Sequence, residues 1–416
     1  MLKRIFYLSY DLGSLSIHCH EIISNMIASG VNVEIFMPDK VDLNFHLHSD
    51  CTVHRIPTVI TNSILADLCY QLILNIILIF RMAKKDRLDM VYARQNHLGI
   101  LPILLARIYG IPYFAEMNGI TRRPAYSPNE IKPRLKAFLE RQCLKLANVI
   151  ITPSNGLKQR IAERHAISRN KIYVVPNGVN EKLFRPQDDE NGLRHSLGIT
   201  DCDFLAGFVG SMGQWQGIEI LKKAIRLNAE QFEHYNIKFL IVGDYIKDAD
   251  LARMRAGFGE GQNDIMDFVE KNDLKSQVIY CGYVPYENSA DYINICDVLV
   301  APYIKAYLEY GGGSPMKLYS YLGCGKPVII SDLGEFTDAM MLRKYDAAFL
   351  VSPDDSQALA TAILNLRKNK ALRENLGKNG RNFVLKERKW LNSCLLVRSI
   401  YERHFDHSKP LPAKAG

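Results

Sequence analysis

At 416 residues, with 48% apolar and 23% charged side chains, the chain has a globular composition and more length than one hydrophobic core fills, so two domains are expected. The net charge of +8 sits in the first half: residues 1–186 hold 24 Lys+Arg against 14 Asp+Glu, a balance of +10, and the remainder holds 28 against 30. Nine cysteines, with no C-x-x-C pair and no zinc-like His/Cys spacing, argue against a disulfide framework and for free thiols in a reducing, cytoplasmic setting.

Residues 5–9 read as a first strand rather than a signal peptide, because no long apolar stretch precedes Asp11. Gly13 opens a loop, and residues 17–28 have helical periodicity and carry His18, His20 and Glu21. Gly30 closes that helix and residues 31–37 alternate as a second strand. This is a doubly wound opening without the G-x-G-x-x-G fingerprint, which argues against a nicotinamide site.

Residues 63–82 form the most apolar segment and are expected as a helix, with Asp67, Gln71 and Asn75 repeating every four residues. The uninterrupted apolar run is short for a membrane span. The segment reads either as a helix between sheet and solvent or, with Arg81, Lys84, Lys85 and Arg87 behind it, as a surface helix on anionic lipid. Strands are expected at 90–92 and 112–116, with a helix at 98–109 between them. Glu116 and Asn118 then fall at a strand's carboxyl end, where α/β ligands bind. Residues 121–145 are basic, with Arg122 among them, and suit either a solvated face or an acidic acceptor or membrane surface. A strand at 149–152, a helix at 156–165 and a strand at 172–175 lead into Pro176, Asn177 and Gly178.

After a polar linker at 187–192, a second series begins: strand 205–209, loop 210–217, helix 218–228, then strands at 239–242, 278–280 and 298–301. Gly243 and Gly282 stand at strand ends, and a helical tail carries Arg381, Trp390 and Tyr401. Two βα series imply an α/β protein of two Rossmann-like, doubly wound domains facing across a cleft.

The stretch 311–331 concentrates the chemistry. Gly311, Gly312 and Gly313 permit close backbone approach. Ser314 suits the N-cap and Pro315 the first position of a helix whose apolar stripe is Leu318, Tyr321 and Leu322. Gly323 or Gly325 ends it, and residues 328–330 read as a buried strand. Lys317 in the first turn opposes the helix dipole unless it is solvated or an anion binds there.

Several stretches together resemble the retaining glycosyltransferases of family 4. They are 147–154 with 176–186, Phe208 to Ser211, Trp215 to Gly217, Ile241 to Asp244, Cys281 to Val284, and Ser314 to Val328. The resemblance covers nearly the whole chain. It implies the GT-B fold, with an acceptor-binding domain at 1–186, a nucleotide-sugar domain at 187–388 and a helix at 389–416 returning to the first. It also implies donor contacts at Gly210, Ser211, Gln216, Gly243, Tyr283, Val284, Gly312, Gly313, Ser314, Pro315, Met316, Lys317, Leu318 and Ser320. Acceptor contacts would be Gly13, His18, Glu116, Asn118 and Arg122, with Asn118 and Lys317 the catalytic pair.

Departures are informative. Ser211 and Gln216 stand where many members carry Arg and Lys, Gly312 and Ser320 where paired glutamates fall, and Asn118 where a histidine is common. Lys317 is expected to supply the missing charge, and Ser320 a weaker hydrogen bond to ribose. The implied reaction is transfer from a nucleotide-diphosphate sugar to a hydroxyl acceptor, a lipid-linked or free saccharide, by front-face attack with the leaving phosphate taking the proton. No D-x-D pair sits in a suitable loop, so no metal and no cofactor are expected, nor is a nucleic-acid partner. The changed charges keep open a non-catalytic binding or partner subunit. A nucleotide-sugar 2-epimerase is disfavoured because no cluster of histidines and carboxylates suits it.

Overall fold

A computed structural model describes residues 2–9, 17–39, 51–57, 64–84, 87–94, 99–119, 131–189, 191–244, 261–310, 313–334 and 338–405. The chain divides into two compact units, residues 1–177 with 390–416, and residues 178–389. The first boundary lies nine residues before the expected 186. Val179 and Phe184 are buried in the second unit's core, and that packing carries the connecting segment with it.

The first unit is a seven-stranded sheet of order β3-β2-β1-β4-β5-β6-β7, every neighbouring pair parallel. Its strands are β1 (Arg4–Leu8), β2 (Asn32–Pro38), β3 (Thr52–Ile56), β4 (Met90–Arg94), β5 (Tyr113–Glu116), β6 (Val149–Thr152) and β7 (Ile172–Val174). Helices α2 (Ile64–Met82), α3 (Ile100–Ile108), α4 (Ile131–Leu146) and α5 (Asn155–His165) bury one stripe each against Phe6, Leu8, Val91, Ala93 and Ala115 on one face. Strand residues alternate between faces, so Tyr7 and Tyr92, paired in register, point to the other. There α1 (Ile17–Ala28) and the terminal helix Trp390–Phe405 pack together. Strand β3 and helix α4 are not among the sequence-derived elements. The helix with the polar repeat is also oriented unexpectedly: Gln71 and Asn75 face inward, while Leu72 and Phe80 face out.

The second unit is a six-stranded parallel sheet of order β10-β9-β8-β11-β12-β13. The strands are β8 (Phe204–Val209), β9 (Ile237–Val242), β10 (Val278–Gly282), β11 (Val298–Ala301), β12 (Val328–Ser331) and β13 (Phe349–Val351). Apolar layers cover both faces, so the strands read as continuous apolar runs. Both units are therefore Rossmann-like α/β domains.

Candidate functional site

In the second unit the carboxyl ends of β8 and β9 meet the start of helix Met316–Gly323. The Gly210 N–H donates to the Val242 carbonyl at 2.9 Å, and the Gly243 N–H to the Gly282 carbonyl at 2.7 Å. Gly243 has φ of +128°, and a Cβ there would lie 2.0 Å from the Gly210 carbonyl oxygen, so no side chain fits between these strand ends. The stem of Lys317 runs past Gly210, whose added Cβ would sit 3.3 Å from the lysine Cδ.

The Lys317 Nζ atom is buried and has no hydrogen-bond partner among the described residues. It lies 3.9 Å from the Phe208 ring centroid and 5.0 Å from that of Tyr303. Burial pushes its pKa well below the usual lysine value. The aromatic faces attract a cation but return only part of the hydration it has lost. An oxyanion at the helix end would return the rest.

The helix start differs from the expected one. Pro315 is the N-cap, with ψ of 105°, and no side chain among the described residues caps the end. Ser314 Oγ instead lies 2.6 Å from the Tyr319 hydroxyl. Tyr319 donates to Asp338, and Asp338 accepts from Arg388 at 2.8 and 3.2 Å. Ser314 is thus tied into a buried chain of polar groups that fixes the loop and leaves the first amides of the helix free of side-chain caps. Tyr321 bonds both ways with Val209, donating to its carbonyl at 2.7 Å and accepting from its N–H at 2.8 Å. The Gly313 N–H bonds the Tyr307 hydroxyl, which burial pushes up to about 12.

Other expected donor residues divide. Gln216 Nε2 donates to Ser211 Oγ at 3.4 Å, and Gln216 Oε1 is buried without a partner among the described residues. Tyr283 stands exposed after β10, and Val284 packs at the core's edge. Leu318 is wholly buried with its N–H on the Pro315 carbonyl at 3.1 Å, so it supports the helix and offers no side-chain atom to a ligand. The Ser320 hydroxyl donates to the Met316 carbonyl at 3.2 Å, leaving only its lone pairs for other partners. Met316 is half-buried. Gly312, Gly13 and Arg122 lie outside the described residues.

In the first unit a polar centre forms at the strand ends. His18 of α1 sits against the Glu116 carboxylate, and Asn118 Nδ2 donates to Glu116 Oε1 at 2.5 Å. Arg94 is the register partner of Glu116. Burial alone would raise the Glu116 pKa, but His18, then Arg94 and Asn118, hold it down at about 2. Asn118 is exposed at the mouth of this centre. Sequence reasoning missed Tyr7 and Tyr92, whose rings stack at 5.6 Å and whose hydroxyls are pushed up first by burial and then by nearby charge, Glu116 included. Trp390, expected only as part of the helical tail, also joins this centre, its ring meeting His18 edge-on at 5.1 Å. The signal was present: both tyrosines occupy equivalent places in strands that end at the same edge.

Residues 15–183 match the sequence profile of Glycosyltransferase Family 4, and residues 189–383 that of glycosyl transferases group 1. A glycosyltransferase of Methanocaldococcus jannaschii, described as uncharacterized, is 23% identical over 409 residues, 98% of this chain and 99% of that protein. The Escherichia coli UDP-Gal:alpha-D-GlcNAc-diphosphoundecaprenol alpha-1,3-galactosyltransferase is 22% identical, covering 85% of this chain and 84% of that one. Sucrose-phosphate synthase from Thermosynechococcus elongatus superposes with a TM-score of 0.74 at 20% identity, over 97% of this chain and 100% of that one. Anabaena HepE in complex with UDP-glucose gives 0.68 at 16% identity, over 95% and 98%. These two likenesses show a common fold.

Proposed function

Because the chain belongs to glycosyltransferase family 4, with the two Rossmann-like domains of the GT-B fold, we propose that it moves a sugar from a nucleotide-diphosphate donor to a hydroxyl acceptor with retention at the anomeric carbon. The observation that carries this reading is the buried Nζ of Lys317, with no hydrogen-bond partner among the described residues, beside a helix start that no described side chain caps. Charge develops on the departing diphosphate, and groups already aimed at that point stabilise it without reorganising. Lys317 and the first amides of its helix take that role, with Gly210, Gly243 and Gly313 giving the backbone access. The acceptor oxygen attacks the anomeric carbon on the face the diphosphate leaves, the carbon–phosphate-oxygen bond breaks, and the acceptor proton passes to the leaving phosphate. No side-chain nucleophile is used, unlike the two-carboxylate hydrolases. Asn118, with Glu116 and His18 fixing it from behind, orients the acceptor.

We assign the acceptor to lipid-linked saccharides of cell-surface polysaccharide synthesis, and the protein to peripheral contact with the cytoplasmic face of a membrane. The diphosphoundecaprenol-linked saccharide for which the Escherichia coli relative is named and the +10 balance of residues 1–186 support this. Metal is not required in the scheme. Two carboxylates that follow the Lys317 helix in sequence are engaged, Asp332 by Arg343 and the Gly334 N–H, and Asp338 by Tyr319 and Arg388.

Thermal shift against UDP, GDP and ADP is the first test, since a nucleotide at 100 Kd stabilises by about 2.7 kcal/mol. The stabilising base is then supplied as donor with a polyprenyl-diphosphate saccharide, in magnesium and in excess EDTA. Transfer at similar rates in both, with a retained anomeric signal by NMR, is expected. Binding without transfer would make the chain a non-catalytic subunit. Loss of rate in EDTA, restored by magnesium, would overturn the metal-free scheme.

A further inference from the structure

Helix α2 is packed with its polar stripe inside. Gln71 and Asn75 are 4% and 7% exposed, and the Gln71 amide atoms and Asn75 Oδ1 have no hydrogen-bond partner among the described residues. Leu72 and Phe80 on the outer face are 61% and 71% exposed, with Ile76 and Ile79 beside them. The orientation is pinned by Tyr70, Leu74, Leu78 and Met82, which enter the core at four-residue intervals. The neighbouring helices continue the outer face. On α3, Leu101, Leu104 and Ile108 are exposed at i, i+3 and i+7, Ile108 at 76%, and on α4 Leu135 and Phe138 are exposed three apart. The three helices lie side by side over one face of the sheet, α3 packed on both others. Isolated exposed leucines are ordinary, but a contiguous apolar layer over three adjacent helices marks a surface that is covered in use.

The charges around it choose the cover. Lys84 beyond α2, Arg107 beside Ile108, and Arg141 and Lys145 on α4 are exposed. The acid of α4 whose side chain is described, Glu140, is buried against His165. Two copies of this chain meeting face to face would oppose these cations, whereas anionic headgroups neutralise them while the apolar side chains enter the acyl boundary. No helix among the described residues is long and apolar enough to cross a membrane, so the geometry is that of lying on one.

We infer that the outer face of α2, α3 and α4 docks on an anionic lipid bilayer, with Leu72, Phe80, Ile108 and Phe138 entering the interface and Lys84, Arg107, Arg141 and Lys145 on headgroups. This deepens the membrane contact of the proposed function by naming its surface, and rests on that reading only for its purpose, which is to bring a lipid-linked acceptor within reach.

The test is co-sedimentation of the full chain with phosphatidylcholine vesicles and with vesicles of phosphatidylcholine and phosphatidylglycerol at three to one, in low and high salt. Binding to the anionic vesicles, weakened but not abolished by salt, is expected. The double variant Phe80→Ser/Ile108→Ser should lose at least tenfold in vesicle affinity, and Lys84→Glu/Lys145→Glu should lose most of its binding at low salt. Both should keep nucleotide binding and the wild-type melting temperature, because these side chains are exposed. Wild-type protein that stays in the supernatant with anionic vesicles, or a Phe80/Ile108 variant that binds as well as wild type, would overturn the assignment. So would a wild-type dimer in light scattering that the same variant abolishes. Vesicle binding with no sugar transfer would refute the proposed activity and leave the surface standing.

Discussion

An ammonium buried without a hydrogen-bond partner burdens the empty protein and is useful to an anion site, and among the described residues Lys317 Nζ has none. Replacing it with methionine keeps the stem's packing against Gly210 and removes the desolvated charge. The empty protein should then gain about 1–2 kcal/mol at neutral pH, while nucleotide affinity falls about 10- to 100-fold for the lost charge-assisted contact. The pH dependence has a definite sign. Burial lowers the lysine pKa in the folded state, so the unfolded chain holds the proton more tightly, and wild-type stability rises with pH until the unfolded lysine deprotonates at about 10.4. The variant's advantage should therefore shrink as pH is raised toward that value. Urea midpoints of both proteins from pH 6 to 9 measure it. A variant less stable than wild type, or one that binds nucleotide equally well, would remove Lys317 from the anion site.

At the scale of elements, helix Met316–Gly323 is held by a polar chain rather than by a cap. Asp338 is its junction, joining Tyr319 to Arg388, with both charged side chains largely buried. Breaking a buried ion pair by neutralising one member costs about 3–5 kcal/mol because the other charge is left uncompensated. Asp338→Asn should show most of that loss in denaturant unfolding and also weaken nucleotide binding, since the helix start is no longer fixed. Unchanged affinity in a destabilised variant would confine the chain to a structural role. None of this was legible in the sequence, because Ser314, Asp338 and Arg388 are joined only by folding. What was legible rests on local rules: the alternation of apolar runs with helical periodicity, and glycines at strand ends such as Gly243. Strand β3 was missed because its residues are mostly half-exposed and lack an apolar run. Helix α4 was hidden by its charge, since its basic residues outweigh the few apolar ones that reach the core. Ser314 was assigned by its propensity to cap, and Tyr319 supplied a stronger partner.

For the whole molecule, the order of the chain and the order of the fold differ. Residues 390–405 follow the entire second unit in sequence yet belong to the first. Trp390, Val397, Ile400 and Tyr401 are buried there, Cys394 Sγ lies 3.5 Å from the Ile22 carbonyl, and the Ser393 hydroxyl donates to the Pro176 carbonyl at 2.7 Å. Burying each large side chain contributes about 1.5–3 kcal/mol, so these four supply about 6–12 kcal/mol. That is comparable to the whole stability of a typical domain, about 5–15 kcal/mol. A chain ending at residue 389 should therefore lose the fold of its first unit, while residues 178–389 keep both apolar layers and the Lys317 site. Calorimetry should show the truncated chain losing the transition of the first unit, with nucleotide binding retained and sugar transfer abolished. Folding of the first unit would then wait for the helix Trp390–Phe405 to be made, so the second unit is complete before the first. A truncated chain that unfolds with the full heat of the intact protein would show that the terminal helix is an accessory and that residues 1–177 suffice.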